Sequence, residues 1–235
     1  MLYRAAAGPL LLFYKVGPSP RRWWGMISTS ADHGGTWSEP RRLPRGILGP
    51  IKNKPIALPG EAILCPSSTE HLGWRIHLEW TLDLGETWHK LEPLNTRSEF
   101  SAIQPSILTY PDGRMQILCR TRERTIATCW SADGGLSWGP MMATPLPNPN
   151  SGIDAVVLRD GRAVLVYNPS RHARTPLSLA VSLDGHTWRD SLILEDAPGE
   201  YSYPAIIQGE GGGIHITYTW KRWRIRHLSL APDEL

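Results

Sequence analysis

The chain has 235 residues, enough for a single all-β or α/β domain to bury a sizeable core without disulfides, and residues 1–235 read as one domain. With 41% hydrophobic and 20% charged residues and a net charge of +3, the composition excludes a disordered or collagen-like chain and gives no electrostatic case for a nucleic-acid partner. No apolar run reaches the ~18 residues of a membrane-spanning helix, and three cysteines without a CxxC pair fit neither a disulfide scaffold nor a zinc module, so no metal or other cofactor is expected.

Taken in chain order, the opening residues carry Arg4, a short apolar run at 9–14 and then Lys15, an order unlike a secretory signal. The sequence thus gives no address, and the cytoplasm is the default compartment. Residues 2–6 and 10–14 read as the first two strands. They lead into a phrase that recurs: Ser30-Ala-Asp32-His-Gly34-Gly-Thr36-Trp37, Thr81-Leu-Asp83-Leu-Gly85-Glu-Thr87-Trp88, Ser131-Ala-Asp133-Gly-Gly135-Leu-Ser137-Trp138 and, one residue shorter, Ser182-Leu-Asp184-Gly-His-Thr187-Trp188. Between copies lie paired short strands at 54–58 and 62–65, 104–108 and 115–119, and 154–158 and 163–167. After the fourth copy come 203–207 and 214–218, and the last unit, 201–230, reads as three strands with no such phrase. The four aspartates stand 51, 50 and 51 residues apart. A strand-rich period of this length is the signature of an all-β propeller in which each period is one four-stranded blade. About five blades are present, with the N-terminal segment as a candidate edge strand for the last.

The chemistry of the phrase is local. Asp accepts backbone N–H bonds across a turn, Gly supplies a positive φ, the hydroxyl braces the loop, and Trp plugs a seam, so its carboxylates read as structural and its tryptophans as buried. The phrase resembles the Asp box of sialidases (neuraminidases) and related BNR-repeat propellers. In that family it joins the third and fourth strands of a blade, away from the central funnel. The resemblance extends along the chain to "GPIKNKP" and "SSTEH", and it implies a six-bladed fold of which the first blade has no counterpart in this sequence.

Blade repeats carry an internal control, because equivalent positions that diverge in polarity are free to carry function. The first residue of each inner strand is Lys54, Gln104, Asp154 and Tyr203 in turn, four polar groups that a propeller would aim at one mouth. What the family resemblance implies is sharper: Arg120 and Arg174 as clamps on the carboxylate of a sialic acid or related acidic sugar, and Tyr201 in "GEYSYP" as nucleophile of a retaining exo-α-sialidase-like glycosidase. Gln104 falls where the family has a glutamate. An amide holds a hydrogen bond but takes no proton, so this departure bears directly on activation of the tyrosine.

Two further readings stand beside the glycosidase. One is a lyase on uronate polysaccharides, with an arginine neutralising the carboxylate. The other is a non-catalytic carbohydrate-binding or interaction propeller, which Gln104 and the unmatched first blade both suit. In each case the partner is an acidic sugar or sialoglycoconjugate.

Overall fold

The computed structural model describes residues 1–235 apart from residues 7, 72 and 97. Five antiparallel sheets follow one another along the chain. The first holds β1 (Leu2–Arg4), β2 (Leu10–Val16), β3 (Trp24–Ser30) and β4 (Arg41–Arg42), and the second β5 (Ile56–Ala57), β6 (Ile63–Thr69), β7 (Arg75–Thr81) and β8 (His89–Lys90). The third holds β9 (Ala102–Thr109), β10 (Met115–Thr121), β11 (Thr125–Ser131) and β12 (Met142–Pro147), and the fourth β13 (Asp154–Val157), β14 (Ala163–Tyr167), β15 (Leu177–Ser182) and β16 (Arg189–Glu195). The fifth has three strands, β17 (Tyr201–Gln208), β18 (Ile214–Trp220) and β19 (Arg224–Leu230). β1 pairs with β2 in the first sheet, so among the described residues the N-terminal segment is not an edge of the last one. No helix of the described residues is long and apolar enough to cross a membrane.

The chain clusters into two compact units, Met1–Pro105 and Ser106–Leu235, divided within β9. In the first unit, Leu11, Phe13 and Ile27 of the first sheet meet Ile63 and Cys65 of the second. In the second unit, β14 is buried along its whole length because both faces are covered. Leu165 and Tyr167 pack with Leu108, Leu118 and Ile126 of the third sheet, whereas Val164 and Val166 pack with Ile206, Ile214 and Ile216 of the fifth. A central strand covered on both faces needs a continuous apolar run, and "AVLVY" supplies one. Each fully buried aliphatic side chain contributes ~1.5–3 kcal/mol relative to exposure.

The recurrent phrase lies between the third and fourth strand of each four-stranded sheet and starts on the third strand's last residue: Ser30, Thr81, Ser131 or Ser182. In the second copy, Asp83 Oδ1 accepts from the Thr87 amide at 2.8 Å, the Glu86 amide at 3.0 Å and the Thr81 hydroxyl at 2.8 Å, while Oδ2 accepts from the Thr87 hydroxyl at 2.6 Å. The Gly85 amide donates to the Thr81 hydroxyl and the Trp88 indole donates to the Gly85 carbonyl, which also accepts from Arg41 Nη2 of the preceding sheet at 3.0 Å. The fourth copy repeats the device within the second unit. There the Gly185 carbonyl takes the Trp188 indole at 3.1 Å and Gln116 Nε2 of the third sheet at 2.8 Å. Gly185 has φ +76°, and a Cβ on it would come within 2.4 Å of the Tyr110 hydroxyl and 2.5 Å of the Trp130 ring. Glycine is required there for both conformation and close approach.

The tryptophans are less buried than the sequence suggests. Trp88, Trp138 and Trp188 are half-buried and Trp37 is 38% exposed. Each indole is tied by its N–H to a glycine carbonyl of its own turn, which keeps the ring beside the turn. Trp88, for example, meets Phe13 edge to face at 6.1 Å.

Two predictions follow from the turns and the strands. Asp83→Ala removes four accepted hydrogen bonds and is expected to lower stability by about 1–2 kcal/mol in a denaturant titration. The turn hydrogen bonds, led by those from the Thr87 and Ser137 hydroxyls, depress Asp83 and Asp133 to about 2, and the Thr36 and Thr187 amides lower Asp32 and Asp184 as well. Their contribution is therefore complete above the unfolded carboxyl pKa of ~3.9 and is lost as pH falls toward 2. The acid-unfolding midpoint of Asp83→Ala should show a weaker pH dependence in that window than the wild type.

The second concerns Cys65, Cys119 and Cys129, which are unpaired and buried, with burial pushing their thiols up, Cys129 to about 12. Native protein should react with a thiol reagent at least tenfold more slowly than denaturant-unfolded protein.

Candidate functional site

Within the first unit, polar residues near the strand ends are tied into the scaffold. Glu79 on β7 is fully buried and accepts from the Leu48 amide at 3.0 Å, the Gly49 amide at 2.6 Å and His77 Nε2 at 2.8 Å. Lys15 donates to the Pro50 carbonyl at 3.0 Å, and burial lowers its pKa to about 8 against the opposing pull of Glu79. These groups pin the 48–50 loop. Lys54 is half-buried just before β5. Gln104 is half-buried on β9 with φ +57°, and its amide donates to the Ser68 hydroxyl at 3.2 Å.

In the second unit, Asp154 does not present a free carboxylate. It is 2% exposed, with Oδ1 accepting from the Ser106 hydroxyl at 2.9 Å and Oδ2 from the Ile206 amide at 3.0 Å. Ser106 also accepts from the Ala155 amide. The carboxylate joins the inner strands β9, β13 and β17. Arg120 is buried near the end of β10.

Tyr201 departs further from the sequence reading. Its ring is fully buried in the cluster with Tyr218, and its hydroxyl donates to the Ala197 carbonyl at 3.1 Å. Tyr203, two residues on, is 48% exposed. In a regular strand the two would share a face. The β17–β18 register shifts between Ser202 and Ala205, and Tyr203, which precedes Pro204, has φ +52°. The bulge turns Tyr203 outward while Tyr201 stays inside.

Around Tyr203 the structure brings Arg174, read from the sequence for the same site, together with Glu200, Ser202 and Arg222. The Arg174 guanidinium lies over the Tyr203 ring at 5.8 Å, and its Nη1 donates to Glu200 Oε1 at 2.9 Å and to the Ser202 hydroxyl at 3.2 Å. Ser202 in turn donates to Glu200 at 2.8 Å, and Arg222 Nε donates to Glu200 Oε2 at 2.8 Å. The Arg222 hydrogen bond is the largest cause holding the Glu200 carboxyl down at about 2, with Ser202 and Arg174 adding to it. Glu200 is thus an ionised anchor that orients Arg174, leaving the Nε and Nη2 donors of that fork for a ligand. The signal for Arg222 was in the pairing: Tyr201 opposite Trp220 brings the β18–β19 turn beside Glu200.

A buried polar network supports this cluster from below. Asn168 Nδ2 donates to the Tyr201 carbonyl at 3.3 Å and the Pro176 carbonyl at 2.9 Å, and its Oδ1 accepts from the Ser151 hydroxyl at 2.6 Å. The Ser151 amide donates to Asn148 Oδ1, and the Asn148 amide to the Arg124 carbonyl at 3.1 Å.

Residues 1–216 match the family described as BNR repeat-like domain. No curated protein matches the sequence. Among solved structures, the chain is similar to the NanB sialidase from Streptococcus pneumoniae with a TM-score of 0.74 at 20% identity, over 91% of this chain and 36% of that one. It is similar to the intramolecular trans-sialidase from Ruminococcus gnavus with a TM-score of 0.73 at 19% identity, over 91% of this chain and 51% of that one. The α-L-arabinanase from Penicillium chrysogenum gives 0.72 at 15% identity, over 100% of this chain and 76% of that one. The chain spans about a third of the length of the first and about half of the second. At these identities the likeness shows the fold, an all-β propeller. With the family match running through four of the five sheets and into the last, the chain belongs to the BNR repeat-like domain family.

Proposed function

We propose that the chain is a carbohydrate-active propeller whose Arg174, Glu200, Ser202 and Tyr203 cluster takes the acid group of an anionic sugar. The observation that carries this reading is the exposed Tyr203 phenol beneath an arginine that Glu200 and Ser202 hold in place. An oriented guanidinium binds a carboxylate through two parallel N–H bonds, and its partner carboxylate is already neutralised by Arg222, so Arg174 is held without losing its charge to one neighbour. Arg120, in the same unit, remains in the proposal as a further cation, and Lys54 and Gln104 remain proposals for the first unit by itself.

The similar structures named as sialidases support an acidic sugar, and the arabinanase extends the support to glycosidic substrates in general. In the retaining chemistry that the sialidase resemblance implies, Tyr203 takes the role first read for Tyr201. Its oxygen bonds to the anomeric carbon as the phenolic proton passes through water to the departing leaving-group oxygen, and a second water later adds to the anomeric carbon and returns a proton to the tyrosine oxygen, releasing the sugar. An activated aryl leaving group needs little of that proton, which makes it the substrate of choice for testing.

One observation favours a binding module instead. Glu200, the carboxylate beside Tyr203, is held ionised by two arginines, which suits it to orientation and not to donating a proton at neutral pH.

The test is a panel of aryl glycosides of sialic, glucuronic and galacturonic acid, assayed for turnover alongside calorimetric binding of the free acids. Tyr203→Phe is expected to lower turnover at least a hundredfold with little change in affinity. Arg174→Ala is expected to weaken sugar binding by ~1.5–3 kcal/mol, the range for a hydrogen bond to a charged group. Binding without turnover in the wild type selects the binding module. Neither binding nor turnover with any acidic sugar overturns the proposal, and full activity in Tyr203→Phe removes that residue from its role.

A further inference from the structure

A second basic feature lies in the same unit. A surface cavity of about 280 Å³ is lined by Arg122, Arg124, Pro149, Asn150, Arg171 and His172. Three arginines face it and no carboxylate lines it; Glu123, the acidic residue of the same turn, is outside the lining. Like charges brought together at one pocket repel unless something fixes them. Here a backbone carbonyl and an imidazole hold two of the three. Arg171 Nη1 donates to the Arg124 carbonyl at 3.4 Å, and the Arg124 guanidinium donates to His172 Nδ1. His172 is itself set by a turn in which its amide and that of Ala173 donate to the Ser170 hydroxyl.

Asn150 also lines the cavity. Asn150 has φ +61°, and its Oδ1 is buried with no hydrogen-bond partner. Its neighbours Asn148 and Ser151 belong to the buried network that runs through Asn168 to Tyr201. The segment between β14 and β15 therefore serves two sites. Arg171 and His172 face the cavity, and Arg174 reaches over to Glu200 and Tyr203.

We infer that the Arg122, Arg124, Arg171 and His172 cavity is an oxyanion subsite for a second charged unit of an acidic glycan, so that the preferred ligand is an oligosaccharide with more than one acid group. The chemistry is a carboxylate or sulfate on a sugar. Guanidinium forks take its oxygens. The length preference rests on the proposed role of the Arg174 cluster, whereas oxyanion binding in the cavity stands without it.

The experiment compares calorimetric binding of galacturonic acid, its trimer and inorganic sulfate to the wild type and to Arg122→Ala/Arg171→Ala. Both replaced side chains are exposed, and circular dichroism and thermal melting confirm folding. Arg122→Lys/Arg171→Lys serves as a second variant that keeps the charge and loses the fork. The trimer is expected to bind the wild type at least tenfold more tightly than the monomer, and the alanine variant is expected to lose that gain while binding the monomer unchanged. Sulfate affinity should fall at least tenfold in the alanine variant and less in the lysine variant. A trimer no tighter than the monomer, or a gain that survives in the alanine variant, overturns the length preference and leaves the Arg174 site standing if the monomer still binds. If neither sugar binds, the Arg174 reading fails, and sulfate alone decides the cavity. Equal sulfate affinity in wild type and alanine variant shows an adventitious ion only and overturns the subsite.

Discussion

The structure depends on a carbonyl oxygen shared between a turn and its neighbouring sheet. In the second and fourth copies of the repeated phrase, the first glycine presents its carbonyl to two donors at once, the tryptophan of its own turn and a long polar side chain from the sheet before. The turn must hold its shape for this to work, and the aspartate enforces it by drawing amide and hydroxyl donors onto one carboxylate. A local motif thereby sets a nonlocal seam. Each such carbonyl is a modest interaction, roughly 0.5–1.5 kcal/mol per hydrogen bond, but it fixes where the apolar faces of successive sheets meet, and those faces supply most of the stability.

Inner strands held in this way can carry irregularities at their ends. β17 does so: its bulge at Tyr203 separates two tyrosines that a regular strand would place together, sending one into the core and one to the surface. The cost of a positive φ before a proline is met by the pairing on either side, from Ala205 onward and at Tyr201 and Ser202. Strain of this kind marks sites where orientation matters more than local stability. Gln104, at the equivalent place on β9, has the same positive φ and also precedes a proline.

Charge is managed differently at the two basic features of the second unit. Beside Tyr203, the single Glu200 carboxylate is shared between Arg174 and Arg222 and fixes their direction, leaving the trio with a net positive charge. At the cavity lined by Arg124 and Arg171, a backbone carbonyl orients Arg171 and an imidazole orients Arg124. The Arg224 and Lys221 side chains of the β18–β19 hairpin are disposed in a third way, stacked on the Trp220 ring. A tally of basic residues along the sequence cannot distinguish these cases, because the difference lies in what each cation faces.

The sequence by itself determined the repeat, the strand order within each blade and the structural role of the four aspartates, because a turn motif is read from neighbours within eight residues and a strand from its own alternation. It also determined that the last unit has three strands. What only the tertiary structure decided was the fate of polar groups at strand ends. Asp154 reads as site-facing until Ser106 and Ile206, 48 and 52 residues away, are seen to occupy its oxygens. Tyr201 and Tyr203 are exchangeable in the sequence until a bulge assigns their faces. Glu200 and Arg222 meet because a hairpin folds one back on the other, and the cavity's cations come from two separate loops. The physical reason is the same in each case: a carboxylate or phenol has no intrinsic inside or outside, and the partner that settles the matter is brought from a distant part of the chain by packing that the local pattern does not encode.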